Sequence, residues 1–301
     1  MHPALVRQSR LMKRSFAFLF IPLFLLAGCI EFESQSVTYA YDARTDTLKI
    51  FQNYHGIFGG DATNSLSKEE LNQLDSVLNS QRTFFFGNWI SEISHDQLRE
   101  QLNQLKEEAA KESKPDPRYG NLETLLKLLV DHVRIENGGW YIDGDGKLSG
   151  VQRVTISGVS NLVVAANVAI RDAYKDAADH CATNESAHAL YLKSIEQPRE
   201  YIKFEGNRIT VRLPATKTEY EEHVLAEGSR QQLEQFKKCG GQVNFKDNEI
   251  IASIGQPTDK QTTWTMSFSE KTYRTNLLQE VKKRGLIQAK LDPEAAARSF
   301  F

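Results

Sequence analysis

Asp172, Asp176 and His180 recur at i, i+4 and i+8 in a stretch of helical periodicity, which stacks them on one helix face, and Asp179, Glu185 and His188 follow closely. Oxygen and imidazole donors at that spacing suit a divalent cation. No His-Glu-x-x-His or similar signature accompanies them, and a polar face turned to water accounts for the same residues. Asp143-Gly-Asp-Gly-Lys-Leu148 offers Asp143 and Asp145 as alternate oxygens around a glycine bend. In the register of an EF-hand loop, however, the first ligand position falls on Tyr141 and the bidentate acid on Gln152, so a hairpin tip without metal is expected. Ser65-Leu-Ser-Lys68 has the spacing of an amine-activated serine nucleophile, yet the Ser-Asp-Asn and Lys-Thr-Gly partners are missing and a helix cap explains the residues. Cys181 and His188 supply a thiol and a base that nothing in the sequence brings together. No catalytic residue, metal ligand set or cofactor motif is therefore selected. An enzyme would need a pocket joining His55 or His180 to carboxylates of shifted pKa.

The elements that would carry these residues are mixed. Ser36 to Tyr54 alternates about Asp42-Ala-Arg-Thr-Asp46 as a hairpin, and Tyr54-His-Gly-Ile-Phe-Gly-Gly60 reads as its glycine-rich exit turn. Ser67-Lys-Glu-Glu70 opens a helix with a capping box, continued by Leu71, Leu74, Val77 and Leu78. Further helices are expected over 94–111, 121–132 and 160–181, with a second hairpin around Asp143-Gly-Asp-Gly146. In the C-terminal third, Phe204-Glu-Gly-Asn207-Arg-Ile209 and Phe245-Lys-Asp-Asn248-Glu-Ile250 form a weak repeat of two tight hairpins. Between them runs a charged helical stretch broken near Gly228, which Gly240-Gly241 closes. A last alternating strand follows at 262–268. Hairpins among helices, without regular βαβ alternation, give an α+β class with antiparallel sheet. Thr83-Phe-Phe-Phe-Gly-Asn-Trp89-Ile90 is the densest aromatic run and reads as core strand before partner or lipid surface.

The amino terminus is more specific. Arg7, Arg10, Lys13 and Arg14 precede an apolar run from Phe16 to Leu26, too short for a stable membrane span, and small residues stand at its exit. Leu26-Ala27-Gly28-Cys29 resembles the lipobox of bacterial lipoprotein precursors, a resemblance covering roughly a tenth of the chain. It implies cleavage after Gly28, a diacylglycerol on the Cys29 thiol, and anchoring in the cell envelope. Ile30 rather than Asp after the cysteine leans toward the outer membrane in a diderm bacterium. The implied order is a signal peptide over 1–28, a tether over 29–35 of at most ~20 Å, an α+β body over 36–290 open to division into two lobes near 182–198, and a polar tail over 291–301.

Removing the first 28 residues takes away four basic and no acidic side chains, and a net charge of −2 becomes −6. An acidic, exported body without a basic and aromatic patch excludes nucleic acid as partner. Cys181 and Cys239 are the two cysteines left after Cys29, and an oxidising envelope allows either one disulfide between them or two buried free thiols. The expected function is a lipid-anchored envelope protein with a non-enzymatic binding or organising role. Its partners would be the membrane, through the anchor, and other envelope proteins. A periplasmic hydrolase with a His/Asp site and a lipid-handling protein with a long apolar cavity are the alternatives.

Overall fold

A computed structural model of the chain describes residues 30–59, 66–79, 95–111, 116–181, 185–196, 199–258, 260–267 and 277–301. Strands β1 (Ile30–Asp42) and β2 (Thr47–Gly59) pair antiparallel over their whole length. With β3 (Val133–Ile142), β4 (Leu148–Ser157) and β9 (Thr262–Ser267) they form a five-stranded sheet ordered β3-β4-β2-β1-β9. A second antiparallel sheet, ordered β5-β6-β8-β7, comprises β5 (Ile202–Glu205), β6 (Arg208–Pro214), β7 (Gln242–Lys246) and β8 (Glu249–Ile254). The helices are α1 (Lys68–Asn79), α2 (His95–Ala110), α3 (Pro117–His132), α4 (Val159–His180), α5 (Glu185–Ile195), α6 (Lys217–His223), α7 (Glu227–Lys238), α8 (Leu277–Lys283) and α9 (Pro293–Phe300). The class is α+β with antiparallel sheets, as the hairpin pattern requires.

Local signals set many of the boundaries. The Ser67 hydroxyl accepts from the Glu70 N–H at 3.1 Å, and the Glu70 carboxylate accepts from the Ser67 N–H at 2.9 Å, so the residues around Lys68 form a capping box. Pro117 does not merely stop α2; it sits at the start of α3 behind the Asp116 cap, where a missing N–H costs nothing. The charged stretch breaks at Val224–Ala226, with Gly228 inside α7. Both Asp247 and Asn248 adopt positive φ in the β7–β8 turn, and in the β5–β6 turn Gly206 alone does.

The first sheet buries both faces. On one, Tyr39, Leu48, Val133, Ile135, Val154 and Ile156 meet Val159 at the start of α4, while Ile30, Phe32, Tyr54 and Trp140 pack on Leu74 of α1 and on Leu277 and Val281 of α8. On the other, Phe51, Tyr141 and Val151 receive Phe300 and Phe301. A strict alternation would put Tyr54 and Ile57 on opposite faces, yet both belong to one cluster. The pleat resets at Gly56, whose φ is 64° and where a Cβ would overlap the Glu33 side chain.

Four expectations from the sequence differ here. The tether assigned to 29–35 is strand from Ile30 onward: Ile30 and Phe32 are core residues, and the Ile30 N–H donates to the buried Gln73 side chain at 2.9 Å. Residues 54–59 continue β2 rather than turning. The polar tail is α9, capped by Asp292 and docked through its terminal phenylalanines. A cut near 182–198 does not separate two consecutive lobes, because β9 returns to pair with β1 after the second sheet is complete. The aromatic run 83–90 lies outside the described residues.

Asn207, with no solvent exposure, joins the two sheets. Its side-chain oxygen accepts from the Tyr41 N–H at 2.6 Å and its amide donates to the carbonyls of Thr258 at 3.0 Å and Lys260 at 2.8 Å. Its own carbonyl accepts from the Tyr39 hydroxyl at 2.9 Å. Asn207→Ala removes the partner of the Tyr41 N–H and of the Lys260 carbonyl, while the backbone of residue 207 still holds the Tyr39 hydroxyl and the Thr258 carbonyl, and a loss of about 1–3 kcal/mol in a denaturant titration is expected. Asn248→Ala, at the matching place in the exposed β7–β8 turn, should cost about 1 kcal/mol, the αL preference alone.

Candidate functional site

A groove of about 660 Å³ opens on the α9 side of the first sheet, between β1, β2, the β3–β4 hairpin and Leu291–Pro293. The antiparallel register sets His55 directly across from Ser34, and both line the groove with Glu33 and Asp143. Burial pushes the His55 imidazole below its ordinary pKa, and the negative charge of Asp143 only partly opposes that. The ring is thus neutral in the folded protein at physiological pH.

The carboxylates have structural duties. Asp143 accepts from the backbone N–H of Asp145 at 3.1 Å and of Lys147 at 2.9 Å, and from the Ser149 hydroxyl at 2.8 Å. It builds the hairpin tip from inside. Lys147 reaches across to the Glu33 carboxylate at 2.6 Å. Among the described residues no hydrogen bond joins the His55 ring to Ser34 or Asp143, the contacts that would activate a nucleophile and orient its base. Hydroxyls, an ion pair and a neutral imidazole beside Ile142 and Leu291 make a surface for hydrogen bonding and packing.

The other candidates fall elsewhere. Asp172, Asp176 and His180 do share a face of α4, but of the three only His180 is exposed. Arg118, from the first turn of α3, pairs with Asp176 and Asp116, and the Asn121 amide donates to Asp172 at 2.7 Å. The hydrogen bond from Arg118 holds the Asp116 carboxyl below the usual carboxylate range. His180 Nδ1 lies 2.7 Å from the Asp176 carbonyl on its own helix. Asp172 and Asp176 are a docking seam between α3 and α4, and His180 lies beyond it. Among the described residues no three His, Cys, Asp or Glu side chains are gathered to hold a metal. Ser65, Gly28 and Cys29 lie outside the described residues. Gly240 and Gly241 donate to the carbonyls of Lys237 and Phe236 and close α7.

Cys181 and Cys239 are free thiols in this structure. Cys181 ends α4 against the cluster of Tyr174, Tyr191 and Tyr201, while Cys239 ends α7 and points at the Thr265 carbonyl of β9, 3.6 Å away. Burial raises both thiol pKa values, and Glu219 adds to the shift at Cys181.

Comparison with known protein families, characterised proteins and solved structures finds no match.

Of the imidazoles named from sequence, His55 lines the groove described above. Glu33, Ser34 and Lys147 were not legible as its neighbours, because Lys147 and Glu33 meet only through the strand order β4-β2-β1.

Two outcomes check this description. Both thiols should alkylate without reductant after unfolding, and slowly in the native protein, faster as pH rises. An acid-dependent loss of stability should also appear. The folded His55 refuses a proton that the unfolded residue accepts below about pH 6.5, so stability is full above that value and declines as pH falls through it. His55→Gln should flatten the decline between pH 7 and 5 in chemical-denaturation curves. His95, also shifted down by burial, keeps some of the slope.

Proposed function

We propose that this chain is a lipid-anchored protein of the bacterial cell envelope, at the outer membrane in a diderm cell, whose α+β body binds or organises other envelope components. The observation that carries the reading is Leu26-Ala27-Gly28-Cys29 at the end of a basic-then-apolar leader. Two or three acyl chains on Cys29 would make the attachment stable, at about 0.8 kcal/mol per buried methylene. A binding role draws support from the groove, where Asp143 is committed to its turn and Glu33 to Lys147, so that neither is placed as a reacting group.

The hydrolase alternative draws on one observation, the shared groove of His55, Ser34 and Asp143. It requires the imidazole to rotate into hydrogen-bond contact with both neighbours when substrate arrives. Lipid handling would call for a long apolar cavity, and this groove has charged walls.

Cys29→Ala should move the protein from the membrane to the soluble fraction or leave the precursor uncleaved. Intact-mass measurement of the wild type should give an acylated chain beginning at residue 29. An unmodified amino terminus at another residue overturns the reading.

A further inference from the structure

We infer that the lipid anchor joins the fold with no tether, and that the end of the first sheet bearing the buried Ile30 and Gly59, with the exposed side of α1 beside it, is the end of this body held at the bilayer surface. The inference rests on the lipidation of Cys29 proposed above and adds the partner surface and its orientation.

Ile30 is the residue next to Cys29, and it is already locked. Its side chain is 2 % exposed in the cluster with Phe32, Ile57, Leu74 and Leu277, and its N–H is held by Gln73 of α1. It pairs with Gly59 at the end of β2. Withdrawing Ile30 to lengthen the link would uncover core and strand pairing together. Consecutive Cα atoms are about 3.8 Å apart, so an acylated Cys29 seated at the leaflet holds this end of the body at headgroup level. The other end of the 13-residue β1 then lies up to roughly 40 Å along the strand. Glu33 and Ser34 are three and four residues from Ile30, which puts the groove within about 15 Å of the attachment point. Whatever the groove binds is met beside the membrane surface.

The test uses the mature, lipidated protein in phosphatidylcholine vesicles carrying a headgroup quencher. Asn72→Cys, on the exposed side of α1 next to Gln73, and Ala43→Cys, in the exposed β1–β2 turn, each receive a fluorophore in a Cys181→Ala, Cys239→Ala background. The Asn72 site should be quenched several-fold more than the Ala43 site. Inserting twelve Gly/Ser residues between Cys29 and Ile30, which adds a reach of roughly 20 Å, should erase most of that difference. A label-free arm needs no cysteine variants: a broad protease should free the folded body from vesicles when the linker is present and not from the wild type. Equal quenching at both sites, or protease release of an intact wild-type body, overturns the inference while lipidation stands. A mature chain without acylation overturns both.

Discussion

The arrangement of the two sheets depends on the hydrogen bonding of Asn207. It sits in a two-residue turn of the smaller sheet, yet every polar atom of its side chain is used on another part of the chain: the Tyr41 N–H of β1 and the carbonyls of Thr258 and Lys260 between β8 and β9. An amide offers donor and acceptor on one rigid plane, and a fully buried one is stable only if both are matched. The match fixes where the β5–β6 hairpin lies on β1 and where the chain turns to deliver β9. Gly255 belongs to the same joint, because a Cβ there would overlap the Asn207 carbonyl and the Tyr39 hydroxyl. Tyr41 and Phe204 pack their rings across it.

Other elements use side chains in place of missing backbone neighbours. The Asn167 amide of α4 both donates to the Ile202 carbonyl and accepts from the Ile202 N–H, closing the edge of the second sheet at β5 as a further strand would. At the edge of the first sheet, Gln235 and Cys239 of α7 point at the Ser267 and Thr265 carbonyls of β9. Gly158 brings no side chain to the start of α4, and Asp46, from the β1–β2 turn, accepts from the Ser160 N–H and hydroxyl in its stead. Burial works against its charge, but the bonds from Ser160 win and lower its carboxyl pKa. The longest helix among the described residues is thereby capped by a residue more than a hundred positions away.

The groove follows from the same long strands. β1 and β2 carry core along one face, and the missing Cβ of Gly56 makes room for the Glu33 side chain in the groove that His55 and the β3–β4 tip also line. Lys147 crosses from that tip to Glu33 and holds one wall. Because β1 starts at Ile30, the residue after Cys29, this polar surface lies on the hairpin that follows the proposed anchor directly.

The sequence by itself determined what local chemistry can determine. Periodicity placed α1 to α4 and the α6–α7 stretch, though not α5, α8 or α9, the Ser67 and Glu70 pair marked a cap, and Gly-Asn and Asp-Asn marked hairpin turns, since each of these acts over a few residues. The stretch that resembles a leader and lipobox, on which the proposed anchoring rests, is a local pattern too. Ile30 and Phe32 alternate in the way of a strand, but Glu31 and Glu33 between them read as a solvated tether until β2, α1 and Lys147 are placed around them. The α4 acids look like a metal face or a wet face because nothing in their own helix announces Arg118. Asn207 and Asn248 occupy equal places in a repeat, and only the neighbours that meet them make one a buried joint and leave the other an exposed turn. Tertiary structure decided those cases because burial and long-range pairing, not propensity, set what each polar group touches.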